Sequence, residues 1–275
     1  MKKFLKRIIL YFLFFSMILL LYLQFYKFKI YNMQEEYIKY MNYQNEKNIV
    51  LGSSHARYIT PFGFFNFASG SQTLDLSYLI LNDLLEKTKI DSLILVISPF
   101  HFQMTQENNS IYFVLYRYPQ YKCTLLERFL FDPEKLGPLI NFFPKKRTSS
   151  FNKITQKDFL SRKTHIGDGS FVGKDFFDKI VDKSIENDIN LTVLIPPYLD
   201  EYLEIINTKN YFKSSIDYIK ELENNNKLNF IDLRTFFKSK TNSYVFFSDP
   251  DHMTKNSGRI VSKHLDSLFK TIDYN

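Results

Sequence analysis

The stretch Asn48-Ile49-Val50-Leu51-Gly52-Ser53-Ser54-His55-Ala56-Arg57 decides the fold. Its apolar run, Ile49 to Leu51, is too short for a helix and has the bias of a buried strand. Gly52-Ser53-Ser54 then marks a sharp turn at the carboxyl end of that strand. Ligands bind at this position in open α/β sheets, because strand ends and helix N-termini leave a crevice lined with N–H donors. A serine held there is placed to be a nucleophile.

Working outward, Tyr58 to Phe65 reads as an aromatic loop, and Asn66-Phe67-Ala68 as a second short strand before Ser69-Gly70-Ser71. Leu74, Tyr78, Leu81, Leu84 and Leu85 recur at helical spacing. Residues 92–97 form the strongest strand, closed by Ser98-Pro99. Further strands are predicted at 191–195, before Pro196-Pro197, and at 230–233. Helices are predicted over 176–185, 212–222 and 260–269. Strands that alternate with helices imply a parallel sheet wrapped on both faces. Residues 101–170 show no clear strand and read as a mostly helical insertion rich in tyrosine and basic side chains.

Upstream, Lys2, Lys3, Lys6 and Arg7 precede an apolar segment over 8–26. As a helix it spans about 28 Å, close to a bilayer core of roughly 30 Å. Tyr22 and Tyr26 suit the membrane interface. The first Ala is Ala56 and the first Gly is Gly52, so the small residues of a cleavage site are missing. The charge bias predicts a signal anchor with a cytoplasmic N-terminus and an extracytoplasmic domain. The expected organisation is a stub and anchor at 1–27, a stalk at 28–47 and a catalytic domain at 48–275.

A net charge of +7 over 275 residues fits an anionic partner: an acidic glycan, a membrane surface or a nucleic acid. The basic residues are scattered and form no nucleic-acid module, so no nucleic-acid partner is expected. Cys123 is the only cysteine, which rules out an internal disulfide and a cysteine metal cage. The five histidines show no ligand spacing, so neither a metal nor a cofactor is expected.

The chemistry reappears near the far end of the chain, at Ser248-Asp249-Pro250-Asp251-His252. An acid three residues before a histidine, on a loop that leads into a helix, lets the carboxylate accept from Nδ1–H. Nε2 is then free to take a proton from a serine hydroxyl. Asp249 has that spacing; Asp251, adjacent to His252, is less suited to fold back onto its ring.

Taken together, Gly52-Ser53-Ser54, Gly70 and Asp249-x-x-His252 resemble the SGNH (GDSL-type) hydrolase superfamily, over roughly residues 48–269. The resemblance implies a flavodoxin-like three-layer α/β/α sandwich with a five-stranded parallel sheet, here preceded by one transmembrane helix. It also implies Ser54 as nucleophile, His252 as base and Asp249 as triad acid, with the Ser54 and Gly70 N–H groups stabilising an oxyanion. Ser53 stands where the usual motif has Asp, and Ser98-Pro99-Phe100-His101 stands where a Gly-x-Asn-Asp block would supply a third donor. With its anchor, the chain looks more like the D-alanyl transfer proteins and membrane-anchored polysaccharide O-acetyltransferases.

The function expected is a membrane-anchored serine esterase or acyltransferase. It would act on an ester-linked acyl group, most plausibly acetyl, of a cell-envelope polysaccharide. Transfer would require a multi-pass membrane partner to deliver the acyl donor. The alternative is a non-catalytic glycan-binding or scaffold protein on a degenerate fold of the same kind. Four further residues carry open alternatives. Ser98 or His101 would replace the missing oxyanion donor or simply pack a loop. His55 would contact substrate or open the helix after the turn. Arg57 would pair with an anionic glycan or a surface carboxylate. His165 and His264 read as structural.

Overall fold

The computed structural model describes residues 4, 6–18, 43, 46–70, 72–98, 101, 154, 158–160, 171, 173–207, 213–238 and 243–272. The chain divides into two units, Met1–Asn42 with Ile111–Thr148, and Tyr43–Ser110 with Ser149–Asn275. In the first, residues 6–18 are helical, and every side chain from Ile8 to Phe15 is exposed. Among the described residues no helix is long and apolar enough to cross a membrane. Residues 19–26 of the expected anchor, most of the expected stalk and nearly all of the expected 101–170 insertion, His165 included, lie outside the described residues.

The second unit is an α/β structure built on five parallel strands in the order β2-β1-β3-β4-β5. The strands are β1 (Asn48–Gly52), β2 (Phe65–Asn66), β3 (Ser92–Val96), β4 (Asn190–Ile195) and β5 (Asn229–Asp232). In β1 and β3 the apolar runs are continuous, in β4 only the buried Thr192 interrupts the run, and Ile49, Leu51, Leu93, Leu95, Val193 and Leu194 are fully buried. An uninterrupted apolar strand needs both of its faces covered. The helices available to cover them are α1 (Leu74–Leu85), α2 (Lys174–Glu186), α3 (Asp200–Asn207), α4 (Lys213–Asn224) and α5 (Lys255–Ile272). Register aligns Gly52 with Val96, Val96 with Leu194, and Leu194 with Ile231, so four strands end nearly level.

The second strand begins one residue earlier than its sequence suggests and is only two residues long. Its hydrogen bonding nevertheless runs on past the strand proper. Phe67 N–H donates to the Val50 carbonyl at 2.9 Å and Ser69 N–H to the Gly52 carbonyl at 3.1 Å. This pairing carries Ser69-Gly70 to the end of β1. Helix α3 has no counterpart among the elements read from sequence; it is two turns long, with only Tyr202, Leu203 and Ile206 buried.

Two local constraints set the geometry of the β1 end. Gly52 has φ +145°, and a Cβ there would meet the Val96 carbonyl oxygen at 2.7 Å. Only glycine fits such a conformation so close to a neighbouring strand. The second constraint is a stripe on α5 at four-residue spacing, which puts three residues on one helix face. A Cβ on Gly258 would collide with Tyr58. One turn on, Ser262 Oγ accepts from Thr60 N–H at 2.8 Å, and one turn further Asp266 Oδ1 accepts from Phe62 N–H at 2.7 Å. The helix that follows His252 is thereby fastened to the loop that follows Ser54.

Gly52→Ala combines overpacking against Val96 with a strained backbone and should cost about 3 kcal/mol in urea denaturation. Gly63→Ala shares the positive φ (+77°) but points into open space, and should cost only about 1 kcal/mol. Equal losses would mean that the Gly52–Val96 approach is not what demands the glycine.

Candidate active site

After Gly52 the chain enters a short 3-10 turn, Ser54–Ala56, closed by Ala56 N–H on the Ser53 carbonyl at 3.0 Å. The Asn66 side-chain amide holds this turn from β2, donating to the carbonyls of Ala56 at 2.8 Å and Ile59 at 2.7 Å. Ser54 is left half-buried at the lip of the turn, whereas Ser53 and His55 are buried.

The partner loop is pinched at its base. Phe247 and Met253 form an isolated antiparallel bridge, and Ser248 N–H donates to the His252 carbonyl at 2.8 Å. Inside the pinch, Asp249 Oδ1 accepts from the backbone N–H groups of Asp251 at 3.2 Å and His252 at 3.0 Å. An Asx-type turn of this kind folds the carboxylate back over its own loop. Pro250 contributes its carbonyl to Leu199 N–H at 3.3 Å, which ties the loop to the segment after β4.

Ser54 Oγ lies 2.7 Å from His252 Nε2, across 198 residues of sequence. On the other side of the ring, Nδ1 lies 2.9 Å from Asp249 Oδ1. An ionised carboxylate only accepts, so the proton of that bond sits on Nδ1. Nε2 therefore faces the serine either as a bare acceptor or, in the imidazolium, as a donor. The arrangement suits a serine that gives its proton to Nε2 as its oxygen attacks an electrophile.

Asp251 departs from its sequence reading. It does fold back: its Oδ1 is also 2.9 Å from His252 Nδ1, although the contact lies off the N–H axis that Asp249 occupies. Its Oδ2 lies 3.2 Å from His55 Nε2, with only 2% of the Asp251 side chain exposed. His55 Nδ1 lies 2.8 Å from Ser53 Oγ. The His55 and His252 rings stack with centroids 4.4 Å apart and planes 14° from parallel. His55 thus belongs to the interior of the site.

Charge follows from these contacts. Burial alone would lower the His252 pKa, but Asp249 and Asp251 outweigh it and lift it to about 9. Burial alone would raise Asp251; the two imidazoles prevail and hold it well below the usual carboxylate range. Burial, then His252, lowers His55, so its ring stays neutral. His101 is fully buried and lowered to about 3, by burial first and then by His55.

The remaining expected residues are placed differently. Ser98 and His101 are fully buried and bonded to each other: His101 Nδ1 accepts from Ser98 N–H at 3.0 Å and lies 3.0 Å from Ser98 Oγ. Neither presents a group at the surface. Gly70 follows Ser69 at the β1 end and is exposed, with open space where a side chain would be. Arg57 is half-buried beside the Tyr58 ring, 5.9 Å from its centroid. His264 packs against Phe236, with centroids 4.9 Å apart.

Among the described residues one group has metal-ligand types close together: His55, Asp251 and His252. Its geometry belongs to hydrogen bonds. The two imidazoles are nearly parallel, so their in-plane lone pairs run side by side and cannot converge on an ion about 2.0–2.1 Å from each. A comparison with protein-family models finds none that matches the chain, and a comparison with curated proteins finds no match.

The buried rings predict a stability maximum near pH 6.5, the ordinary histidine pKa. His55 and His101 have lowered pKa values. Below pH 6.5 the unfolded chain therefore binds protons the folded one refuses, and each ring costs up to about 1.4 kcal/mol per pH unit. For His101 that loss continues to about pH 3. His252 has the opposite sign: its contribution is complete below pH 6.5 and disappears as pH rises through about 9. Thermal melting across pH 4.5–9 should trace both limbs. His101→Gln should flatten the acid limb and leave the alkaline limb intact.

Proposed function

We propose that the protein is a membrane-anchored serine esterase or acyltransferase, acting on an ester-linked acyl group, an acetyl, of a cell-envelope polysaccharide. The observation that carries the reading is the chain from Ser54 Oγ to His252 Nε2, 2.7 Å, and from Nδ1 to Asp249, 2.9 Å. A binding scaffold on the same fold needs neither distance, and this favours catalysis over the scaffold alternative. The fold reading is the flavodoxin-like three-layer sandwich of the SGNH hydrolases, supported by the 2-1-3-4-5 strand order. β1 and β3 adjoin where that order reverses, and Ser54 follows β1, as ligand sites do in open α/β sheets.

In the proposed reaction Ser54 Oγ attacks the acyl carbonyl while His252 Nε2 takes its proton. The tetrahedral oxyanion is held by the N–H groups of Ser54 and Gly70. It collapses with release of the alcohol, protonated by His252, and leaves the acyl group on Ser54. Water or a glycan hydroxyl then attacks in the same way. Hydrolysis and transfer differ only in that second acceptor.

The anchor reading rests on residues 8–26, and the helical, outwardly apolar Ile8–Phe15 stretch supports it. Apolar residues around a whole helix need an apolar surrounding. A reporter fused after Asn275 should be active outside the cytoplasm; an active cytoplasmic reporter would contradict the topology.

A fluorophosphonate probe tests the chemistry. The wild-type protein should label, Ser54→Ala should not, and Ser53→Ala should still label, because Ser53 is buried with its hydroxyl on His55. His252→Ala should slow labelling by about 10²–10⁴-fold. The labelling rate should climb as pH rises above 7, because His252 must shed a proton it holds up to about 9. Undiminished labelling of Ser54→Ala would overturn the assignment.

A further inference from the structure

The Ser53–His55–Asp251 chain is not needed for the proton transfer just described, yet it is more deeply buried than the residues that are. We infer that His55, oriented by Ser53, is a positioning residue that pins Asp251 against His252, so that two carboxylates, and not one, sustain the base. This rests on the proposed acyl chemistry for its consequence but not for its geometry.

The direction of every proton in the chain follows from Asp251. Its carboxylate can only accept. His55 Nε2, 3.2 Å from Oδ2, must therefore carry a hydrogen. A neutral imidazole has one N–H, so Nδ1 is bare and accepts from the Ser53 hydroxyl at 2.8 Å. Ser53 thus selects the tautomer that allows His55 to donate. Asp251 is left with one oxygen fixed by His55 and the other 2.9 Å from His252 Nδ1. The stacked ring pair, 4.4 Å between centroids, limits how far either imidazole can tilt.

The two acids then have different tasks. Asp249 Oδ1 takes the Nδ1–H bond and two backbone N–H groups, which organises the loop. Its side chain is 26% exposed, whereas that of Asp251 is 2% exposed. A charge held out of water is screened less, so at equal distance Asp251 exerts the stronger pull on the imidazolium. The groups facing His252 are Ser54, His55, Asp249 and Asp251. Those facing His55 are Ser53, Asp251, His252, His101 and the Tyr198 ring, with the Asp249 carboxylate acting on it from farther off. Of the two carboxylates, only Asp251 is in direct contact with both rings, 3.2 Å from His55 Nε2 and 2.9 Å from His252 Nδ1.

The test is selective ¹⁵N-histidine labelling of the full chain, whose five histidines keep the ring signals few. In the wild type, His55 should show a bare Nδ1 and a protonated Nε2 at pH 7 and above. The reverse tautomer would leave Asp251 without its donor and overturn the proposal, whatever any variant does. Asp251→Asn should lower the His252 titration by about one unit or more. His55→Phe keeps an aromatic stack but removes both hydrogen bonds, and should lower it comparably. The double variant should titrate no lower than Asp251→Asn alone, because the two changes break one chain. His55→Gln, which keeps an N–H donor, should recover part of the shift. A His252 titration unmoved by His55→Phe, while Asp251→Asn lowers it, would overturn the positioning role. The ring titrates whether or not any ester turns over. A shifted titration without acylation of Ser54 would therefore sink the proposed function and leave the positioning role standing.

Discussion

Asp251 is the constraint on which the site depends. Its carboxylate is buried between two imidazoles, one 2.9 Å and the other 3.2 Å away. A buried carboxylate with too few partners is expensive; Asp251 takes the His55 N–H on one oxygen and lies against the His252 ring with the other. His55 and His252 are therefore ordered together, and the stacked pair joins the turn after β1 to the loop before α5. Asp249 closes the arrangement by folding the loop over its own backbone. What results is an imidazole whose Nδ1–H and ring orientation are set before any substrate arrives. Preorganisation of this kind lowers the reorganisation needed during reaction.

The fold supplies the meeting point. Ser54 and His252 are 198 residues apart, and nothing local links them. Parallel strands that end level place the loops that follow them on one edge of the sheet. Gly52 lets β1 turn there against Val96, and Ser69 bonds back onto the same glycine. The Gly258, Ser262 and Asp266 stripe then locks α5 against the loop from Tyr58 to Phe62. The first residue of α5 lies three positions beyond His252, so the register of that helix sets where the imidazole falls.

Much of this is legible in the sequence because the signals are strong and local. Strands β1 and β3 read directly as continuous apolar runs, β4 as one broken only by Thr192, and α1, α2 and α5 as helical stripes. β2 is blurred because only two residues qualify, with the pairing completed by irregular backbone up to Ser69. α3 is missed because two turns carry too few apolar positions to establish a period. The Asp-x-x-His spacing leads to Asp249, since an acid three residues away can reach Nδ1 without strain. Asp251 escapes the same reasoning. Its approach depends on the turn that Asp249 imposes and on the His55 donor 196 residues upstream. Ser98 and His101 illustrate the converse: polar residues at a strand end attract a functional reading, but here they bond to each other through His101 Nδ1 in the interior.

The central claim is that Ser54 becomes covalently acylated with His252 as its base. The most direct measurement is acid quench after brief exposure to an activated acetyl ester, followed by peptide mapping by mass spectrometry. The account predicts one acetyl group per chain, carried on the peptide that contains Ser54 and localised to that residue. It also predicts that His252→Ala forms the adduct about 10²–10⁴-fold more slowly. An adduct on Ser53 or elsewhere, or none at any pH up to 9, would contradict it.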